Sequence, residues 1–308
     1  MTAGLGRPDE RRPPPERPIA RSESAAWIHA RGVLDCSRGR LVGIVNANPD
    51  SFSDAGAHAG TDAAVEHGRR LAGLGADVVE VGGESLRFAP ASPPEVEIGR
   101  VVPVIERLAA ELDVPVAVDT YKPAVAAAAI AAGAAILNDP TGLRDPEMAS
   151  VAAGAEVGVV AAHFFGPPKV RPGSFPDVDV PAVVADWARE RVGWATARGI
   201  APERLVIDPG IGLGKSPPQD LDLMRRLDAV VAAGRPVLVP ISNKKVLGAI
   251  TGAAAADRLA ETTAALAWCR ARGATLFRVH DVRFARGALE VAEALVTGRP
   301  ERWHDVEK

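Results

Sequence analysis

The chain has 308 residues, 47% of them hydrophobic, with 36 Lys and Arg against 39 Asp and Glu. That length suits one large α/β domain or two smaller ones, and the apolar content supports a sizeable core. The net charge of −3 offers no basic face for nucleic acid or an anionic membrane, and no apolar stretch reaches the length of a membrane span.

Cys36 and Cys269 are too few and too far apart for a disulfide framework, so two reduced thiols of a cytoplasmic protein are expected. Residues 1–20 (MTAGLGRPDERRPPPERPIA) put proline and charge where a signal peptide would have its apolar segment. With little apolar surface to offset the entropy of ordering, residues 1–25 are expected to form a disordered tail, with a proline-rich docking peptide as the alternative. Residues 26–40 (AWIHARGVLDCSRGR) suggest a short strand pair with Gly32 and Gly39 as turn residues.

From residue 41 the pattern is regular. Eight apolar runs follow: LVGIVN (41–46), DVVEVGGE (77–84), PVAVD (115–119), AAILND (134–139), VGVVAAH (157–163), RLVID (204–208), PVLVPIS (236–242) and TLFRVH (275–280). They are rich in Val, Ile and Leu and lack polar alternation, as expected of parallel strands buried on both faces. Amphipathic segments of helical period lie between them, among them 61–74, 95–112, 122–132, 181–198, 219–232 and 257–272. Asp62, Asp220 and Asp257 fall near expected helix starts, and Gly75, Gly133 and Gly273 at expected stops. A repeated βα unit leaves an open doubly wound sheet or a closed barrel. Eight units fit a (β/α)8 TIM barrel better than a five- or six-stranded sheet with a glycine-rich first turn. The expected organisation is therefore a barrel over 26–300 and a short C-terminal tail over 301–308.

The runs end in Asn46, Glu84, Asp119, Asn138, His163, Asp208, Ser242, and Arg278 with His280. In a TIM barrel these ends share the rim that carries active sites. Two connections are long. NANPDSFSDAG (46–56) begins a loop well beyond the usual two to six residues and carries Phe52 in polar surroundings. GGESLRFAPASPP (82–94) holds Arg87 and Phe88, where Arg87 is either solvated or faces an anion. DPGIGLGKS (208–216) fails both the P-loop and the dinucleotide pattern, leaving a glycine-rich turn that allows close backbone approach. In ISNKK (241–245), Ser242 is a candidate helix cap, while Lys244 at a helix start opposes the macrodipole and so points to a ligand. Arg278 and His280 alternate along a strand end and can share one side, where they could bind an anion such as pyrophosphate. The six histidines show no zinc-ligand spacing.

Taken together, N-x-x-P-D-S-F-S-D-x-G (46–56), G-G-E-S-x-R (82–87), D-T-Y-K (119–122), N-D (138–139), D-P-G-I-G-x-G-K (208–215), S-x-K (242–244) and R-V-H-D-V (278–282) resemble the dihydropteroate synthase family, in family order, over residues 40–297. The resemblance implies a cytoplasmic, homodimeric, Mg2+-dependent transferase of folate biosynthesis. It would condense 6-hydroxymethyl-7,8-dihydropterin pyrophosphate with p-aminobenzoate and release pyrophosphate. By the same resemblance Asn46, Asp119, Lys244, Arg278 and His280 would be catalytic. Asp119, Asn138, Asp208 and Lys244 would hydrogen-bond the pterin, Phe164 would stand where the family has a pterin-packing Met, and Arg278 and His280 would hold the pyrophosphate. Asn46 would ligate Mg2+, and Arg87, Ser242 and Asn243 would face the aryl amine.

The departures from the family pattern gather on the amine side. E-S-L-R-F stands for E-S-T-R-P, and S-N-K for S-R-K, so Leu86, Phe88 and Asn243 replace a hydroxyl, a proline and a large cation. S-N-K also resembles paralogues of actinobacterial style, which implies a non-folate or catalytically silent branch. Three readings follow: an authentic synthase, a paralogue using a different amine, and a silent pterin-binding protein. Retention of Asn46, Arg278 and His280 argues against the last, and a corrinoid-type pterin methyltransferase ranks below all three because it would not need the first loop.

Overall fold

A computed structural model of the chain describes residues 26–47, 60–85, 90–170, 175–300 and 303. The expected tail (1–25), the first rim loop over 48–59 with Phe52, the second loop's tip with Leu86, Arg87 and Phe88, and all of the expected C-terminal tail but Trp303 lie outside the described residues.

The expected strand pair is present as β1 (Ala26–His29) and β2 (Gly32–Asp35), antiparallel in the register Ala26↔Asp35 to His29↔Gly32. Gly32 serves the turn. Gly39 does not: it lies just before the next strand, where its N–H meets the Glu293 carboxylate and a Cβ would strike Leu289.

Eight parallel strands follow: β3 (Arg40–Asn46), β4 (Val78–Gly82), β5 (Val116–Asp119), β6 (Ile136–Asp139), β7 (Gly158–Ala162), β8 (Leu205–Asp208), β9 (Leu238–Val239) and β10 (Leu276–Val279). Each falls within or against an expected run. Their spatial order is β8-β7-β6-β5-β4-β3-β10-β9, and a parallel bridge from Ile207 to Val237 joins the two ends. Sequential neighbours and a closed ring make this a TIM barrel rather than a doubly wound sheet, whose order reverses at a switch point.

The helices between them are α1 (Thr61–Gly73), α2 (Pro94–Glu111), α3 (Pro123–Ala131), α4 (Pro146–Ala155), α5 (Val180–Thr196), α6 (Pro217–Arg225), α7 (Asp228–Val231), α8 (Lys245–Thr251), α9 (Leu259–Ala271) and α10 (Val282–Thr297). Proline in the first turn, where no N–H partner is needed, starts α2 to α6. The expected helix over 219–232 is two short pieces, α6 and α7, broken at Arg226 and Leu227.

Alternation along the strands builds the site. Val42, Val78, Ala117, Ile136, Val160, Val206, Leu238 and Leu276 pack in one cluster with Trp27 of β1. The intervening residues, such as Val79, Val118, Leu137, Ile207 and Phe277, belong to the larger cluster shared with the helices. The first set therefore faces the lumen, and Trp27, fully buried with its indole N–H donating to the Arg204 carbonyl at 2.8 Å, plugs the floor. Two residues further along each strand the same inward phase reaches Ile44, Glu80, Asp119, Asn138, Ala162, Asp208 and Arg278. An apolar floor thus carries a polar layer at the C-terminal rim.

Candidate active site

Hydrogen bonds link most of that polar layer. Arg278 donates from Nη2 to Asp119 Oδ2 at 2.6 Å and from Nε to Glu80 Oε1. Asn138 donates from Nδ2 to the second Glu80 oxygen at 2.9 Å, while its own Oδ1 is buried with no partner. Asp208, buried at the end of β8, accepts from the Gly210 N–H at 2.6 Å. Four of the expected pterin and anion residues are therefore in one layer, Asn138 and Asp208 buried and Asp119 and Arg278 half-buried. Glu80, which the sequence reading passed over, bonds two of them, Asn138 and Arg278, and reaches Asp119 through Arg278.

Charge in this cup is strongly perturbed. Burial pushes the Asp119 carboxyl well up, against the pull of Arg278 and reinforced by the negative charge of Glu80. Burial lifts Asp208 to about 6, with the Gly210 N–H and the cation of Lys244 opposing the rise. Desolvation pulls Lys244 down, opposed chiefly by Asp208. Arg278 stays charged because Glu80 and Asp119 more than offset its burial.

Three glycines set the loop after β8. Gly210 has φ +73, and a Cβ there would collide with the His163 carbonyl, so only glycine fits. The loop also carries Lys215, whose ammonium is enclosed, donates to the Gly210 carbonyl at 2.9 Å, and is pushed down to about 8 by burial. Lys215 is thus a tie within the loop, while Lys244, whose stem lies against Gly212, is the cation facing Asp208.

On the rim, the Ser242 hydroxyl meets His280 Nδ1 at 2.9 Å and accepts the His280 N–H at 3.3 Å. His280 keeps an exposed edge, yet desolvation and the facing cations of Arg278 and Lys244 push its imidazole down to about 4. Asn243, beside them, has φ +56, a left-handed conformation that Asn adopts more readily than longer side chains. Its carbonyl and that of Lys244 both accept from Arg258, which clasps this loop to the start of α9. Asn46 ends β3 opposite Gly82 of β4, in the inward phase of Val42 and Ile44. Phe164 lies after β7, its ring 5.9 Å from the Arg144 guanidinium and its carbonyl accepting from Arg144 Nη2 at 2.9 Å. Arg87 lies outside the described residues. His163, one of the polar strand ends, is out of the inward phase: its ring packs edge-on against Trp187 of α5.

The second long loop is anchored by a buried ionic cluster that the sequence did not reveal. Glu84 accepts from the Ser92 N–H at 2.6 Å, from Tyr121 at 2.9 Å and from Lys122 Nζ at 2.9 Å. Lys122 also donates to Glu97 and to the Ser92 carbonyl, both at 2.7 Å. Lys169, from the loop after β7, lies 3.3 Å from Glu84. Burial alone would raise the Glu84 carboxyl, but these donors hold it near about 2. Both ends of the 83–92 loop are therefore fixed, on either side of the tip that carries Arg87.

A closed (β/α)8 barrel with a mixed-charge cup at its C-terminal rim places the chain among the TIM-barrel proteins whose chemistry sits at that rim. The pterin binding enzyme family model matches residues 42–280, and the chain belongs to that family. It is 44% identical over 256 residues to a probable bifunctional folylpolyglutamate synthase/dihydropteroate synthase of Haloferax volcanii, covering 82% of this chain but 30% of that protein. It is 34% identical over 280 residues to dihydropteroate synthase of Escherichia coli, covering 90% and 99% of the two chains. It is also 40% identical over 272 residues to inactive dihydropteroate synthase 2 of Mycobacterium bovis, covering 85% of each. Among solved structures, dihydropteroate synthase of Xanthomonas albilineans with 4-aminobenzoic acid aligns with a TM-score of 0.82 at 44% identity, covering 88% of this chain and 98% of that one. The chain thus spans about a third of the archaeal bifunctional proteins and nearly the whole of the single-function bacterial ones.

Proposed function

We propose that this protein is a dihydropteroate synthase-type transferase that joins 6-hydroxymethyl-7,8-dihydropterin pyrophosphate to p-aminobenzoate in folate biosynthesis. The observation that carries the reading is the open acceptor of Asn138. A buried, unpaired carbonyl costs about 1–3 kcal/mol, and a ligand N–H placed there would recover it. Around it Asp119 and Asp208 supply acceptors and Lys244 a donor, the set that a pterin edge requires.

In the proposed reaction the bond from the pterin methylene carbon to the pyrophosphate oxygen breaks, and its electron pair leaves with pyrophosphate. The aryl amine nitrogen then bonds to the carbon and gives up a proton. Arg278 keeps its Nη1 donors for the leaving group, its other two contacts being taken by Glu80 and Asp119. His280, held by Ser242, is the second group facing that charge. No protein nucleophile takes part. Asn46 offers one neutral oxygen, and among the described residues no group of three or more His, Cys, Asp or Glu could hold a metal. A sparse oxygen site of that kind suits Mg2+, which takes its remaining ligands from phosphate and water. When bound, Mg2+ would neutralise charge on the leaving pyrophosphate. A homodimer and a cytoplasmic location belong to the same proposal. The exposed stripe Phe284, Val291 and Leu295 on α10 supports the first, and the two unbridged buried cysteines support the second.

A second reading, a paralogue that uses another amine or none, draws support from the left-handed Asn243 and from the 40% identity to the inactive M. bovis protein. Pyrophosphate release from the pterin substrate with Mg2+ separates the two. Release that depends on p-aminobenzoate supports the synthase; release only with other amines supports the paralogue. Tight pterin binding with no release under any amine would overturn both as enzymes.

A further inference from the structure

Glu80 lies in the middle of β4, 1% exposed, below the groups that would touch a substrate. Its two carboxylate oxygens serve different partners. Oε2 accepts from Asn138 Nδ2 at 2.9 Å, and Oε1 accepts from Arg278 Nε, whose Nη2 reaches Asp119 at 2.6 Å. An amide can rotate by half a turn with little change of shape, so packing alone does not settle which end of Asn138 faces the lumen. A carboxylate does settle it. An ionised carboxylate only accepts, so it draws the Asn138 NH2 and repels the carbonyl. The carbonyl is consequently the end left buried and open. In the same way, Arg278 has its Nε end drawn to Glu80, which fixes the guanidinium plane against Asp119.

We propose that Glu80 is a positioning residue that sets the hydrogen-bond polarity of the cup: one of its oxygens makes Asn138 an acceptor toward the ligand, and the other aligns Arg278 with Asp119. The inference rests on the pterin reading above and deepens it, since the polarity selects a heterocycle that presents an N–H to Asn138. It also predicts how polarity can be exchanged. In Glu80→Gln the side-chain oxygen keeps Arg278 Nε, and the new NH2 faces Asn138. Asn138 must then rotate, presenting its own NH2 to the ligand. In Asn138→Asp two carboxylates face each other. In the double variant Glu80→Gln/Asn138→Asp, an NH2 again meets an oxygen and an acceptor again points to the ligand.

The test measures 6-hydroxymethylpterin binding by calorimetry to the full chain and its three variants, each checked for a cooperative thermal transition. E80Q and N138D should each lose about tenfold or more in affinity, and the double variant should recover to within about threefold of the wild type. The KM for p-aminobenzoate should change by less than about twofold in E80Q, because the side chains that Glu80 bonds, Asn138 and Arg278, belong to the pterin and anion half of the cup. Loss of the Glu80 charge should also move the acid limb of the binding–pH profile to lower pH through Asp119, a change that loose packing would not produce. If E80Q does not fold, the comparison of N138D with the double variant carries the same prediction. Affinity of E80Q within twofold of the wild type, additive losses in the double variant, or failure of the double variant to fold would each overturn the inference. Absence of binding by the wild type would overturn the pterin reading and this inference together, an outcome distinct from additive losses in a wild type that binds.

Discussion

Lys122→Met tests whether the buried ionic cluster positions the amine-side loop. Lys122, Glu84 and Glu97 have side chains 11%, 5% and 1% exposed, so the ammonium separates two carboxylates that water barely reaches. Methionine fills a similar volume but removes the charge. Glu84 then retains Ser92, Tyr121 and Lys169, whereas Glu97 loses the cation at 2.7 Å and faces Glu84 uncompensated. Removing one partner of a buried pair costs about 3–5 kcal/mol. At about 2–4 °C per kcal/mol for large domains, Tm should fall by roughly 6–20 °C. The sign of the pH dependence follows from Glu84, whose carboxyl is held near about 2 against a usual 4.5. A depressed carboxyl stabilises the fold fully above pH 4.5 and loses that contribution as pH falls toward 2, so the wild type should lose more stability over that window than K122M. Kinetically, a loosened 83–92 loop should raise the KM for p-aminobenzoate several-fold and leave 6-hydroxymethylpterin affinity within about twofold. Thermal unfolding across pH and steady-state kinetics on the same preparations read both. A Tm change below 2 °C, or equal losses of pterin and amine affinity, would refute the assignment of this cluster to the amine-side loop.

Asp208, lifted to about 6 by burial, is a carboxylate acceptor only above that pH. Pterin affinity should therefore weaken as pH falls through 6, and Asp208→Asn should be weaker throughout and lose the Asp208 part of that fall, keeping only the part carried by Asp119, in calorimetric titrations. Trp27→Ala opens the floor of the lumen beneath the polar layer and should cost about 3–5 kcal/mol in urea denaturation, with the mutant pterin affinity reduced only if the layer shifts. Asn243→Arg forces a long side chain into a left-handed backbone and should cost about 1–2 kcal/mol. Combined with Phe88→Pro it should nevertheless lower the KM for p-aminobenzoate; an unchanged KM would mean that these positions do not line the amine site.

The barrel and half of its cup were legible because both follow from local periodicity. Each strand is a short Val/Ile-rich run, and its inward phase can be counted in twos from the apolar floor to the polar end. Counting only the ends had two consequences. It included His163, which is one residue out of phase and packs against Trp187 on the helix side. It missed Glu80, which is mid-run but shares the inward phase of Val78. A charged residue inside a run buried on both faces, in phase with the lumen, was the available signal. The Glu84–Lys122–Glu97 cluster left no such signal, because its partners are 38 and 25 residues apart and its register depends on how loops close. The left-handed backbone of Asn243 was likewise invisible: Asn is common there, but also almost everywhere else on a surface.

The inward layer also explains why so much charge is tolerated at the centre of a barrel. Isolated, a buried carboxylate would neutralise itself by taking up a proton. Glu80 shares Arg278 and receives the Asn138 amide, so both of its oxygens are matched. Asp119 has one partner in Arg278, and Asp208 has the Gly210 N–H and a more distant Lys244; both are pushed up. The layer is therefore graded, with the carboxylate on β4 satisfied and those on β5 and β8 short of donors. A ligand that brings N–H groups supplies what those two lack, and it gains nothing by competing for Glu80. The same gradient that makes Asp119 and Asp208 candidate contacts makes Glu80 their support.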